Sequence, residues 1–136
     1  MSGLPADVRE LLERPNFVHV ATLMADGSPH SVPVWAGVVD GDRVAFFTQP
    51  ESLKGRNLAR DGRVAMSVVD HDEPYRSASL RAHVVETRDG DAALEVMDVL
   101  SVRHTGRPFP MRKGRLFVCE VDRARYAELP FSRSTP

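Results

Sequence analysis

Apolar positions along this chain follow a helical spacing in three segments and a two-residue alternation in most of the rest. In residues 5–14, Val8, Leu11 and Leu12 share one side of a short amphipathic helix. Pro15-Asn16 stops it, because a residue preceding proline avoids helical dihedrals. Residues 17–24 then read as a strand rich in β-formers, Asp26-Gly27 as a tight turn, and residues 29–39 as a second strand. Asp40-Gly41-Asp42 makes the next turn into a third strand over 43–49, completing a β-meander. Residues 52–60 form a short helix ended around Asp61-Gly62, and residues 63–70 a fourth strand. In a fifth strand over 78–87, Leu80, Ala82 and Val84 alternate with Arg81 and His83. A third helix spans about 92–104 with Leu94, Met97, Val99 and Leu100 available for burial. A loop over 105–114, a sixth strand over 115–121 and a closing segment over 122–131 complete the chain. Six strands with short antiparallel connections and three helices predict a mainly β, α+β domain, built as a closed or nearly closed barrel or as a sandwich. Periodicity alone does not separate the two.

Composition narrows the partners. The 136 residues suit a single domain, 1–136, with a real core. A net charge of −1 gives no global attraction to nucleic acid or to a membrane surface. Residues 1–15 are charged and amphipathic rather than a signal peptide, and no apolar run reaches membrane-spanning length. Cys119, the one cysteine, lies in an apolar strand, so no disulfide within the chain can form and a cytoplasmic location is expected. Of 18 basic residues only Lys54 and Lys113 are lysines, a bias that fits a GC-rich coding genome and draws attention to both.

The start of the second helix carries unusual charges. Thr48-Gln49-Pro50-Glu51-Ser52 leads into it with Ser52 as N-cap, and Lys54, Gly55, Arg56 and Asn57 follow, although a helix N-terminus favours acids. Either the two cations point into solvent, or cap, free N–H groups and cations together hold an anion such as a phosphate. A second basic stretch, Arg103, Arg107, Arg112, Lys113 and Arg115, contains no acid over residues 103–115. It is a solvated loop, or an arm closing over an anionic ligand of this or a neighbouring subunit. Nucleic-acid binding would need aromatics interleaved there, and only Phe109 qualifies.

Other chemistry finds little support. His19, His30, His71, His83 and His104 form no spaced metal-ligand pair, so no metal site is expected. Nucleophile-elbow, Walker and dinucleotide-glycine patterns are absent. Asp70, Asp72 and Glu73 around His71 read as a solvated loop rather than as an acid/base pair.

Several short segments, in order, carry a family likeness: Val20-Ala21-Thr22-Leu23-Met24-Ala25-Asp26-Gly27-Ser28-Pro29; Ser31-Val32-Pro33-Val34-Trp35; Lys54-Gly55-Arg56-Asn57-Leu58-Ala59-Arg60-Asp61; Arg63-Val64-Ala65-Met66-Ser67-Val68; and Asp72-Glu73-Pro74-Tyr75-Arg76. With these the chain resembles the split β-barrel flavin and deazaflavin proteins of the pyridoxamine 5′-phosphate oxidase-like superfamily over residues 17–126. Its Lys-x-Arg-Asn-Leu and Asp-x-Pro-Tyr blocks look most like the branch that uses reduced coenzyme F420. The resemblance implies an FMN-binding-like, six-stranded antiparallel split barrel with flanking helices, forming a homodimer with cofactor sites at the subunit interface. It implies that a cofactor phosphate meets Ser52, Lys54 and Arg56 or Asn57 near Thr48 and Gln49. The ring would lie along Val32, Pro33, Val34 and Trp35. The expected activity is hydride transfer from reduced F420 to a small unsaturated acceptor, with His30 or water as proton donor. An FMN enzyme of the same fold, or a non-catalytic protein binding flavin, deazaflavin or haem, are the alternatives. The chain departs from the oxidases proper, which carry a basic C-terminal extension gripping the substrate phosphate, so that activity is not expected. It also has Gly62 where relatives often have proline, a difference confined to the turn.

Overall fold

A computed structural model describes residues 3–131; Met1, Ser2 and residues 132–136, counted in the expected domain, lie outside them. Seven strands and three helices follow in the order α1 (Ala6–Glu13), β1 (Val18–Leu23), β2 (Pro29–Val34), β3 (Ala36–Val39), β4 (Arg43–Thr48), α2 (Leu53–Arg60), β5 (Arg63–Val69), β6 (Arg76–Arg88), α3 (Gly90–Thr105) and β7 (Arg115–Glu128). All strand pairs are antiparallel, and the sheet order is β2-β1-β5-β6-β7-β4-β3. The two strands at opposite ends of that order, β2 and β3, are consecutive in sequence and separated only by Trp35. The chain thus crosses from one end of the sheet to the other at a single residue, which is how the barrel comes to be split.

This accounts for the difference in strand number. The single strand expected over 29–39 divides at Trp35, because Val34 pairs with Val18 of β1 whereas Ala36 pairs with Phe46 of β4. The last strand is also longer than expected: residues of the closing segment continue β7 to Glu128, with Ala124 opposite Leu80 and Tyr126 opposite Ala78. The polar run Asp122-Arg123-Ala124-Arg125 hid it, since only every second residue there faces the core. Two register shifts in the β6–β7 pair, at Arg81/Ala82 and Val84/Glu86, bend these two long strands.

Two apolar clusters sit on opposite faces of β4 and β7. Val44, Phe46, Phe117 and Cys119 point into the barrel, where they meet Val18, Val20, Val68 and Leu80 and the buried face of α1. The alternate residues Ala45, Leu116 and Val118 lie beneath Ala93 and Met97 of α3. Both faces of these strands are therefore buried, and the sequence reads as continuous apolar runs. Strands β1 and β5 bury one face and expose the other along most of their length. Burial pushes the Cys119 thiol up to about 12, leaving it inert at neutral pH.

The turns follow their residues. Asp40 and Gly41, at φ of 50° and 88°, supply the positive dihedrals of the β3–β4 hairpin. Helix α2 stops at an extended Asp61, whose carboxylate takes Arg63, without a left-handed glycine. The acids after β5 are not all solvated: Asp70 is 1% exposed and is bonded by Arg76, for the reason that Arg76 pairs this loop with α1 and β7 as well. Among the described residues no helix is long and apolar enough to cross a membrane.

Candidate functional site

The end of β2, the end of β4 and the start of α2 converge on one cavity of about 270 Å³, lined by Phe17, Pro33, Val34, Trp35, Phe47, Lys54 and Phe109. Four residues expected to touch a cofactor, Pro33, Val34, Trp35 and Lys54, thus share one site. Its walls are aromatic. Phe47 and Phe109 meet edge to face with centroids 5.0 Å apart, and each presents its ring to Trp35 at 6.2 Å. His104 of α3 stacks on Trp35 at 5.0 Å with planes 11° apart, and Phe17 lies 5.6 Å from His104. Because β2 ends the sheet order, one edge of its backbone has no strand partner, leaving amide and carbonyl groups beside the cavity for a polar ring edge.

Lys54 is the cation of this site. Its side chain is half-buried, and among the described residues it has neither an ion-pair nor a hydrogen-bond partner. Burial alone holds its ammonium pKa below the ordinary lysine value. A partly desolvated ammonium facing an aromatic cavity is costly unless an anion joins it. The donor set therefore fits a ligand with an apolar ring and a phosphate.

The other expected residues take different places. Ser52 is the N-cap of α2: its hydroxyl accepts the Gly55 N–H at 3.1 Å and is bonded to the Thr48 hydroxyl at 2.9 Å. Gly55 is required here, since a Cβ would stand 2.7 Å from the carbonyl oxygens of Gln49 and Pro50. Arg56 is exposed. Asn57 is buried; its amide donates to Thr22 Oγ1 at 3.1 Å and its carbonyl accepts from Arg60 at 2.7 Å, so it pins α2 to β1 from beneath. Gln49 donates its amide N–H to the Lys113 carbonyl at 2.7 Å. The Val32 side chain packs on the core, so only its backbone is available to a ligand. His30 does not line the cavity, and its buried Nδ1 has no partner among the described residues.

Two of the five cations of the 103–115 stretch are neutralised, by Asp98 of α3 and by its cap Asp89. Arg112 forks onto Asp98 at 2.8 and 2.9 Å, Arg115 donates to Asp89 at 2.8 Å, and Arg103 reaches the Leu12 carbonyl at 3.4 Å. Arg107 and Lys113 alone of the five have side chains without a partner among the described residues. Asp98 also accepts the Phe109 N–H at 3.1 Å, and this anchor seats the Phe109 ring in the cavity wall. The Arg112 hydrogen bond holds the Asp98 carboxyl below its ordinary value. Local sequence could not disclose this loop's role, because Asp98 and Arg112 are 14 residues apart. Phe17, Phe47 and His104 join the site with no local signal for it, since the sequence marks the first two only as strand positions and the third only as the end of a helix.

His104 gives a pH signature. Burial first, and then Arg103, lower its pKa from the ordinary 6.5. As pH falls the unfolded imidazole takes its proton before the folded one, so stability present above about 6.5 declines below it. Urea midpoints measured from pH 7.5 to 5.5 should fall less steeply in His104→Gln than in the parent. Parallel curves would contradict this.

Among the described residues no group of three or more His, Cys, Asp or Glu is placed to hold a metal ion. The architecture is that of an antiparallel split barrel carrying, at its seam, an aromatic cavity with one half-buried lysine. The pyridoxamine 5′-phosphate oxidase family profile matches residues 4–127, and the chain belongs to this family. It is 37% identical over 79 residues to the pyridoxine/pyridoxamine 5′-phosphate oxidase of Roseobacter denitrificans, and 43% identical over 53 residues to that of Pseudomonas paraeruginosa. Those matches cover 58% and 39% of this chain but only 38% and 25% of the relatives' own lengths. Among solved structures it is similar to an F420 reductase, with a TM-score of 0.78 at 29% identity over 90% of this chain and 98% of that one. A conserved hypothetical protein of Mycobacterium tuberculosis shares the fold, with a TM-score of 0.76 at 24% identity over 100% and 94% of the two chains.

Proposed function

We propose that this protein is a cytoplasmic, homodimeric oxidoreductase that binds a phosphate-bearing deazaflavin, coenzyme F420, and passes its hydride to a small unsaturated acceptor. The observation that carries the reading is Lys54, half-buried in the lining of an aromatic cavity and without an acid partner among the described residues. The F420 reductase likeness, which spans nearly the full length of both chains, favours the deazaflavin. FMN is the second reading, supported by the matches to the two oxidases.

In this reading Lys54 is the main phosphate contact and exposed Arg56 the second. Ser52, held by Thr48, fixes the start of α2, while Asn57 and Gln49 fix its flanks. The backbone of Val32, Pro33 and Val34 meets the polar edge of the ring, and Trp35 its apolar face. When bound, the deazaflavin supplies the hydride; the protein orients the ring and excludes water around it. A cavity of about 270 Å³ lies just below the usual ligand range of about 300–1,000 Å³, which supports completion of the site by a second copy.

Trp35, the sole tryptophan, provides the test. Titration with F420 should quench its emission to saturation at lower ligand concentration than titration with FMN. Reduced F420 should then be oxidised when an acceptor panel is added. Saturation by FMN with no response to F420 would reverse the cofactor assignment, and no response to either would remove the proposed function.

A further inference from the structure

Trp35 is held by two different sets of contacts. Backbone pairing fixes its neighbours, Val34 on β1 and Ala36 on β4, while ring contacts fix the indole itself. Phe47 and Phe109 meet that indole edge to face in the cavity wall. His104 instead lies flat against it, with centroids 5.0 Å apart and planes 11° apart. His104 is not part of the cavity lining. It stands in the last turn of α3 and is itself backed by Phe17 at 5.6 Å, so one imidazole joins α3 to the approach to β1 and to the β2–β3 crossing.

These contacts serve the imidazole poorly as a polar group. Its Nε2 is buried and has no hydrogen-bond partner among the described residues. Of the groups packed against it, Phe17 and Trp35 do not titrate, and its charged neighbour on α3 is the Arg103 cation. From α1 the Leu12 carbonyl takes Arg103 at 3.4 Å. No carboxylate among the described residues pairs with His104. A neutral ring leaves one polar atom unmet in this position. An imidazolium carries N–H on both nitrogens, and an unmet donor on a charged group costs more. Attraction of a cation to the indole face favours staying in the stack, but it supplies no acceptor to the buried N–H. Burial and Arg103 both hold the His104 pKa below the ordinary 6.5.

We infer that His104 is a positioning residue for the cavity: its neutral imidazole holds the Trp35 indole against a bound ring, and its protonation releases the indole and weakens ring binding. This role rests on the cavity taking a planar cofactor ring, as proposed above, whereas the coupling of His104 to Trp35 belongs to the chain without ligand. By linkage, a ligand that needs the stacked, neutral imidazole lowers its pKa further on binding. Affinity is then full above the pKa of the free protein and declines as pH falls through it, by at most about tenfold per pH unit.

Two measurements on the full-length protein test this, each from pH 7.5 to about 5 wherever far-UV circular dichroism shows the fold intact. Without ligand, the emission maximum of Trp35, the sole tryptophan, should move to longer wavelength towards acid in the parent. It should stay in place in His104→Phe, which keeps an aromatic partner but takes no proton. Calorimetry with F420 and with FMN then gives Kd in parent and variants. Ionisation of the ligand enters all of them alike, so the ratio of Kd values is the readout. At pH 7.5 His104→Gln should weaken binding about two- to tenfold, the range of an aromatic contact, and His104→Phe should restore it. Towards acid the Kd of the parent should rise relative to that of His104→Phe. A parent emission maximum that ignores pH, or an equal shift in His104→Phe, would overturn the coupling whatever the cavity binds. A constant Kd ratio beside a His104-dependent shift would overturn the role in binding. Binding of neither cofactor, with that shift present, would instead count against the proposed function and leave the hold on Trp35 supported.

Discussion

Lys54→Ala is expected to weaken cofactor binding by about 1.5–3 kcal/mol, roughly ten- to a hundredfold in Kd, the range of a hydrogen bond to a charged group. The reason lies in what surrounds the ammonium. It is half-buried among Pro33, Trp35, Phe47 and Phe109, without an acid partner among the described residues, and burial already lowers its pKa. The ligand phosphate would thus be its only counter-ion. The same reasoning predicts that the variant unfolds no more easily than the parent, since a group favoured neutral by the fold contributes no stability as a cation at pH 7. Arg56→Ala should cost much less, under about 1 kcal/mol, because its side chain is exposed and screened. Calorimetric titration with F420 and with FMN checks both variants. An unchanged Kd in Lys54→Ala would remove the anion contact from this site, whichever cofactor prevails.

Much of the architecture was legible because it is written locally. The β-hairpin turns carry Asp-Gly pairs, the strands alternate, and the Ser52 cap stands where the helix must start. Charges inconsistent with the helix dipole at Lys54 and Arg56 mark the candidate anion site within the sequence itself. What failed was non-local. The break at Trp35 depends on two partners, β1 and β4, at opposite ends of the sheet. The length of β7 depends on β6, since a run of Asp and Arg has no apolar signal of its own. The apparent basic arm over 103–115 is bound down by Asp98 and Asp89, acids that lie outside it in sequence. Asn57 shows the same limit: its block matches the family, but its amide faces Thr22 and Met24 of the barrel rather than the cavity.

Asp70→Ala is expected to lower stability by about 2–3 kcal/mol, a large loss for a single polar side chain. The carboxylate is 1% exposed and accepts the Arg76 guanidinium at 3.1 Å and the Asp72 N–H at 3.1 Å, with Arg14 at 3.7 Å. Backbone pairing ties the same two positions again, through the Asp70 N–H and the Arg76 carbonyl at 3.0 Å. Arg76 then continues to Glu10 of α1 at 3.1 Å and to the Tyr126 hydroxyl of β7 at 2.9 Å. Removing one partner of a buried pair costs about 3–5 kcal/mol when the other is left without compensation. Here Arg76 keeps Glu10 and Tyr126 and is 20% exposed, so the loss falls below that range, at about 2–3 kcal/mol. At about 3 °C per kcal/mol for a domain of this size the melting temperature should fall by roughly 6–9 °C. Asp72→Ala, at an acid 73% exposed, should change stability by under about 1 kcal/mol. Asp70→Asn should fall between the two, because its amide oxygen still accepts the Asp72 N–H while the charge is lost. Urea midpoints decide it: equal losses in Asp70→Ala and Asp72→Ala would mean that this loop is held by its backbone and not by the buried carboxylate.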